Sequence, residues 1–218
     1  MESIILERDW TCSKNTLCGR LLAKRLFDIV VSATILLLLS PLLIIVALLI
    51  RLDSKGAIFF GQTRVGKRGQ LFLMWKFRSM YIDAEQRKAT LMKQNEMQGG
   101  VLFKMKKDPR VTRVGRFIRK FSIDELPQLW NVLKGDMSLV GPRPPLPSEV
   151  AEYTPYQYQR LEITPGITCI WQISGRSDIP FPQQVEMDIK YINNQTFIYD
   201  MIILLKTIPA VLKARGAY

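Results

Sequence analysis

Histidine does not occur in the 218-residue chain. Its absence removes the side chain most used as a general base and metal ligand, and with it every Ser–His or Cys–His nucleophile pair. Acid–base and phosphate chemistry therefore falls to carboxylates, lysines and arginines. Cysteine is scarce: Cys12, Cys18 and Cys169 are odd in number and lack any Cys-x-x-Cys spacing. That pattern argues against a disulfide framework or a zinc site and fits a reducing compartment, so all three read as structural or incidental. Acidic residues are few as well, 19 against 31 Lys and Arg, for a formal charge of +12 and a pI near 9.8. The imbalance calls for an anionic partner, whether nucleic acid, an anionic membrane surface or phosphorylated substrates. No Asp-x-Asp triplet is present, so the metal motif of many sugar-to-acceptor glycosyltransferases is missing. Without secretory features, the sequon Asn194-Gln-Thr196 reads as chance.

The chain length supports one domain with a sizeable core plus a membrane element. Its centre is Ser122-Ile-Asp124-Glu125-Leu-Pro127-Gln-Leu-Trp-Asn-Val-Leu-Lys-Gly135. Leu126, Leu129, Trp130 and Leu133 recur at helical spacing, which predicts one apolar face and a stop near Gly135. A capping box from Ser122 to Glu125 would make Pro127 the fifth helical residue, where it costs a hydrogen bond. Starting the helix at Asp124 avoids that cost. The start then sets Asp124 and Glu125 at the positive end of a helix dipole, which favours their ionised forms and any nearby phosphate. An ionised Asp can attack phosphorus, and a neighbouring Glu can hold Mg²⁺ together with phosphate oxygens. A plain N-terminal cap is the alternative use of the same residues.

Ahead of this centre, residues 1–23 are mixed and predict a loose tail or an interfacial helix. The uncharged run Ile29–Ile50 covers 22 residues, about 33 Å as a helix, against a hydrocarbon core of about 30 Å. Ser40-Pro41 interrupts it near its midpoint, where the Ser hydroxyl can take up a freed carbonyl and leave a kink. Basic residues flank both ends, Lys24 and Arg25 before and Arg51 and Lys55 after, so positive-inside bias gives neither end to the far side. The residues alone leave a spanning helix and a re-entrant one open.

The segments Ala57–Phe60 and Leu71–Trp75 read as a β-hairpin. Between them, Gly61-Gln-Thr-Arg-Val-Gly66-Lys67-Arg68 nearly spells a P-loop, but Arg68 stands where Ser or Thr should meet Mg²⁺ and no helix follows. Asp83–Gln98 reads as a polar helix ending at Gly99-Gly100, a candidate lid. From Lys104 to Lys120 eight of seventeen residues are basic, with Arg110, Arg113, Arg116 and Arg119 every third residue, a basic amphipathic helix. Its exit beside Asp124 turns Arg119 toward substrate phosphate, and Gly141-Pro-Arg143-Pro144 is a rigid turn able to hold a guanidinium against phosphate. Phe197–Lys213 is apolar at helical spacing, either a core helix or an interfacial one.

Four blocks in order resemble the bacterial sugar transferase family, the monotopic polyprenyl-phosphate phosphoglycosyl transferases: Lys24-Arg-x-Phe-Asp28 with Ser40-Pro41, Lys76-Phe-Arg78-Ser-Met80, Ser122 through Pro144, and Pro165-Gly-Ile-Thr-Cys169-Ile-Trp-Gln-x-x-Gly-Arg176. The resemblance covers about Lys24 to Lys213. It implies that Asp124 is the nucleophile taking a phosphosugar from a nucleotide diphosphate sugar, with Glu125 binding Mg²⁺. It further implies that Lys76, Arg78 and Arg176 help bind substrate beside Arg119 and Arg143, and that Ser40-Pro41 breaks a re-entrant membrane helix. Cys169 replaces the family's usual Gly, which puts the local backbone in question. The expected architecture is a helix-rich α/β protein with a small hairpin, divided into a tail (1–23), a re-entrant helix (24–52) and a cytoplasmic catalytic domain (53–218) on the bacterial inner membrane. The expected donor is a uridine-linked sugar and the expected acceptor polyprenyl phosphate, and nucleic acid is not expected. The rival reading, a basic membrane- or nucleic-acid-binding module, would leave Asp124 and Glu125 without purpose.

Overall fold

The computed structural model describes residues 14–91, 105 and 108–213. The tail expected over 1–23 and the lid expected over 83–98 fall partly outside these residues, as does the start of the basic segment at Lys104. The longest element is α1 (Lys14–Asp53), which runs from Leu21 to Leu38 and then bends by 62° into Ser40–Asp53. Pro41 supplies the break, and the Ser40 hydroxyl donates to the Leu37 carbonyl at 2.8 Å, as the sequence predicts. Among the described residues no single helix is long and apolar enough to cross a membrane, although the bent pair passes by length and composition together.

Polar residues at the start of α1 hold it to the globular part. Asp28 is buried and accepts from the Ser138 hydroxyl at 2.7 Å, Lys24 pairs with Asp200, and Arg25 donates to the carbonyls of Val132 and Leu133. The last contact places a guanidinium on the C-terminal carbonyls of a neighbouring helix, where a cation complements the dipole. Phe27, Val31 and Ile35 add apolar contact to a core of Met74, Leu129, Val132, Met137, Leu139, Val140, Tyr191 and Ile203. At the other end of α1, Val46 and Ile50 join Phe77 and Ile118 in a second core.

The expected hairpin forms, with longer strands than the sequence predicts: β1 (Phe59–Val65) pairs antiparallel with β2 (Leu71–Phe77), Phe60 opposite Lys76. Gly61 to Val65 is thus strand and no phosphate-cradling loop opens a helix there. After α2 (Ala84–Leu91) comes α3 (Arg113–Lys120), whose Thr112 side chain accepts from the Gly115 amide. The basic helix is therefore shorter than the charge pattern predicts, because Arg110 lies before the cap in a buried pair with Asp108 at 2.7 Å.

The central helix is also later than expected. A 3₁₀ turn covers Ile123–Glu125, and α4 (Gln128–Lys134) follows, ending at Gly135 with φ +100. Neither Ser122 nor Asp124 caps it by side chain. The expected apolar face is rotated: Trp130 is 56% exposed while Asn131 is fully buried. Asn131 accepts from the Trp75 amide at 3.0 Å and donates to the Leu73 carbonyl at 2.8 Å, which ties α4 to the free edge of β2.

A feature the sequence did not reveal is a two-stranded parallel pairing of β3 (Ser138–Val140) and β4 (Gly166–Thr168). Short helices α5 (Pro147–Val150) and α6 (Pro155–Tyr158) lie between the two strands in sequence, and α7 (Ile170–Ser174) follows β4. The chain closes with α8 (Phe181–Asn193) and α9 (Phe197–Lys213). Ile203 on α9 is buried, while Ile198, Ile202, Leu205, Ile208 and Leu212 are exposed. The helix has both a core face and an open apolar stripe. Cys169 is buried with φ −150 and ψ 175, an extended conformation open to any residue, so no glycine is needed there.

Candidate active site

Four elements converge on Asp124 and Glu125. Helix α3 delivers Arg119 in its last turn, and Ser122 then takes φ +55, a left-handed conformation costing about 1 kcal/mol for a non-glycine residue. This reversal turns the 3₁₀ segment inward. Asp124 becomes buried, and Glu125 faces strand β2, where Lys76 donates to its Oε1 at 2.7 Å. Arg143 approaches on the loop after β3, and Arg176 on a 3₁₀ turn after α7 with φ +53. No hydrogen bond or ion pair to a protein group occupies the guanidinium of Arg119, Arg143 or Arg176 among the described residues.

The electrostatics split the two carboxylates. Burial, the largest influence on Asp124, raises its pKa; Glu125 adds to the rise, while Lys76 and Arg119 oppose it. Burial also works to raise Glu125, but Lys76 and Arg143, the bond from Lys76 and then Arg176 outweigh it, so this carboxyl falls below its ordinary range. The dipole argument from sequence is thus corrected for Asp124. With α4 beginning only at Gln128, desolvation dominates and the proton is held more tightly than expected.

Of the residues expected at the site, Asp124, Glu125, Lys76, Arg119, Arg143 and Arg176 share this electrostatic neighbourhood. Arg78 does not. Its guanidinium is directed to the carbonyls of Ser54 and Lys55, each at 2.7 Å, and to the Ser54 hydroxyl at 3.0 Å. The strand ends at Phe77, and the expectation of a shared substrate face for Lys76 and Arg78 ends with it.

Arg64 was missed by sequence reading. It is buried on β1, donates to the Pro144 carbonyl at 3.0 Å and to Gln62 Oε1 at 2.6 Å, and burial and then Arg143 lower its pKa to about 10. The Val65 amide donates to the Pro145 carbonyl at 2.9 Å, so the hairpin fixes the Arg143 loop at two points. The available signal was Gln62 and Arg64 at alternating positions of one strand face, polar where a core face would be apolar.

Among the described residues no cluster of three or more His, Cys, Asp or Glu exists to cage a metal. The Asp124–Glu125 pair suits Mg²⁺ nonetheless, since that ion keeps waters and takes one or two carboxylates alongside substrate phosphates. Lys76 occupies Oε1 of Glu125 and leaves Oε2 uncommitted, while holding the group ionised.

Residues 19–214 match the family described as Bacterial sugar transferase. The galactosyl transferase CpsE of Streptococcus agalactiae is 49% identical over 200 residues, covering 91% of this chain and 44% of the relative. The undecaprenyl-phosphate galactose phosphotransferase of Salmonella typhimurium is 46% identical over 198 residues, covering 89% of this chain and 41% of the relative. The exopolysaccharide production protein ExoY of Rhizobium meliloti is 40% identical over 200 residues, covering 90% and 88%. The chain thus spans less than half the length of the first two relatives and most of the third.

Proposed function

The chain belongs to the bacterial sugar transferase family, and from that premise we propose that it moves a sugar 1-phosphate from a nucleotide diphosphate sugar to a polyprenyl phosphate. The observation that carries this reading is the buried Asp124 beside a Glu125 held ionised by Lys76, faced by the guanidiniums of Arg119, Arg143 and Arg176, none of which makes a hydrogen bond or close ion pair with a carboxylate among the described residues. Relatives are named for undecaprenyl-phosphate galactose and glucose phosphotransfer and for UDP-galactose, which supports uridine-linked hexose donors and undecaprenyl phosphate as the acceptor.

In the first half-reaction the Asp124 carboxylate attacks the phosphorus that bears the sugar. The bond to the bridging oxygen breaks, nucleoside monophosphate leaves with that electron pair, and an acyl phosphosugar remains on Asp124. Arg119, Arg143 and Arg176 neutralise charge on the phosphoryl oxygens, where preorganised donors act most strongly in a water-poor site. Lys76 keeps Glu125 oriented and ionised. Glu125 and the substrate phosphates would hold Mg²⁺, which would offset the charge on the phosphate of the departing nucleoside monophosphate. In the second half-reaction a phosphate oxygen of the polyprenyl phosphate attacks the same phosphorus and frees the Asp124 carboxylate.

The bend in α1 and its exposed apolar residues support a re-entrant seat in the inner leaflet, with both ends of the helix and the catalytic domain (53–218) on the cytoplasmic side. The test of function is incubation of purified protein with UDP-galactose or UDP-glucose and Mg²⁺, without acceptor. Release of UMP no greater than the amount of enzyme, with a protein mass increased by one hexose phosphate, is the expected result. Turnover without an adduct would overturn the covalent mechanism.

A further inference from the structure

The C-terminal end of α1 is held by both walls of the active site. A helix ends with unpaired carbonyls, and cationic donors there satisfy them while complementing the dipole. Arg78 does this across the fold: its guanidinium donates to the carbonyls of Ser54 and Lys55 and to the Ser54 hydroxyl, with the Ile50 carbonyl at 3.5 Å. Arg78 lies two residues beyond Lys76, which holds Glu125. Asp53, the last residue of α1, accepts from the Val114 amide at 3.1 Å in the first turn of α3. The far end of α3 carries Arg119 and runs into the turn that presents Asp124. The end of the bent helix is therefore wired to one wall through Arg78 and to the other through Asp53.

Gly56 completes the arrangement. It sits at φ +121, a conformation L side chains rarely adopt, and a Cβ there would come to 2.1 Å from Arg78 Nη1, so any larger residue strains the backbone and pushes the guanidinium aside. Arg51 also donates to the Gly56 carbonyl at 2.8 Å.

We infer that Arg78 is a positioning residue that sets the height of the active site relative to the lipid through the last turn of α1, and that it serves acceptor attack more than donor cleavage. The inference rests on the proposed function. The two half-reactions draw on different phases, since a nucleotide sugar arrives from water while a polyprenyl phosphate must present its headgroup from the bilayer. Loosening the end of the membrane helix shifts the site relative to the headgroup plane and leaves Lys76, Glu125 and Asp124 in mutual contact. A direct phosphate-binding role would have the opposite signature, a loss in the donor step.

The test compares wild type with Arg78→Gln, Arg78→Lys and Gly56→Ala, each as the full chain in nanodiscs with and without undecaprenyl phosphate, with UDP-galactose or UDP-glucose, whichever the wild type uses. Single-turnover UMP release in acceptor-free discs reads the donor step, and transfer to undecaprenyl phosphate reads the acceptor step. For Arg78→Gln and Gly56→Ala the expected result is donor release within about twofold of wild type and acceptor kcat/KM lowered on the order of tenfold. Arg78→Lys should recover part of the loss, because an ammonium can still cap the carbonyls. The double variant Arg78→Gln with Gly56→Ala should lose little more than either single one, since both break the same contact. Unchanged rates in both steps would overturn the inference, as would equal loss in both steps per folded molecule. No adduct from wild type with either donor would instead count against the proposed function.

Discussion

Lys76 on β2 and Glu125 on the turn before α4 form an ion pair of 2.7 Å between side chains that are both mostly buried. The pair draws Glu125 down in pKa while Asp124, next in the chain, is pushed up. Two adjacent carboxylates thereby acquire different tasks, one kept as a permanent anion and one poised to gain or lose a proton.

Removing that cation is the most direct perturbation. Lys76→Met should lower donor turnover on the order of 10²-fold, because Glu125 loses the charge that orients it. Stability should fall by about 1–2 kcal/mol, less than for a fully buried pair because some water reaches both groups. Denaturant midpoints and single-turnover UMP release measure the two effects separately. Near-wild-type turnover would show that Glu125 does not depend on Lys76.

The pH dependence of the donor step follows from the same charges. As the proposed nucleophile Asp124 would attack only when ionised, and burial raises its pKa, so the rate should rise with pH along a limb above the ordinary aspartate value of about 3.9. Lys76 must stay protonated. Burial, and then Arg143, lower its pKa against the opposing pull of Glu125 and Asp124, so the falling limb should lie below the ordinary lysine value of about 10.4. In Lys76→Met the rising limb should move to higher pH, since Lys76 is the first charge opposing the rise, and the falling limb should vanish. A rising limb that stays in place would assign it to another group.

Much of this was legible in the sequence because it is local. The bend at Ser40-Pro41, the hairpin, the stop at Gly135 and the approach of Arg119 to Asp124 each depend on neighbouring residues and on turn chemistry. What the sequence hid is non-local. The family resemblance set Arg78 beside Lys76 as a substrate-binding residue, but the carbonyls that claim it belong to Ser54 and Lys55, where a helix from elsewhere in the fold ends. Helical periodicity favoured Trp130 as a core residue because it rewards apolar size, whereas the edge of β2 required an amide and put Asn131 inside. Burial of Asp124, which reversed the dipole argument, arises only when α3, β2 and the Arg143 loop close around it.

The inversion between Trp130 and Asn131 can be measured. Asn131→Leu keeps the volume but leaves the Trp75 amide and the Leu73 carbonyl without their partner, a loss of about 2–4 kcal/mol. Trp130→Ser removes a larger side chain from an exposed position and should change stability by about 0.5 kcal/mol or less in detergent. Thermal or denaturant unfolding of both variants decides. The opposite order would return Trp130 to the core.

For the membrane seat, Pro41 is the informative position. Pro41→Leu restores an amide and removes the steric conflict that bends α1, which favours a straight helix long enough to cross. Single cysteines near Cys18 and Lys55 of an otherwise cysteine-free chain should both label from the cytoplasmic side, and Pro41→Leu should move the former to the periplasmic side. Periplasmic labelling of either site without the Pro41 change would exclude the re-entrant arrangement.

The roles of the two carboxylates separate most sharply in paired amide variants. Asp124→Asn keeps the size of the side chain but removes the anionic nucleophile, so UMP release and the phosphosugar adduct should disappear together. Because Asp124 caps no helix by side chain and is costly to bury ionised, this variant should fold at least as stably as wild type. Glu125→Gln keeps the nucleophile and removes the charge that faces Lys76, so the adduct should still form, slowly, and the response to Mg²⁺ should weaken. Intact-protein mass spectrometry with donor alone reads the adduct, and steady-state kinetics with both substrates should show a ping-pong pattern in wild type. The order of these losses is the decisive point: an Asp124→Asn protein that still gained a phosphosugar would move the nucleophile to Glu125, and the electrostatic division between the two residues would then have to run the other way.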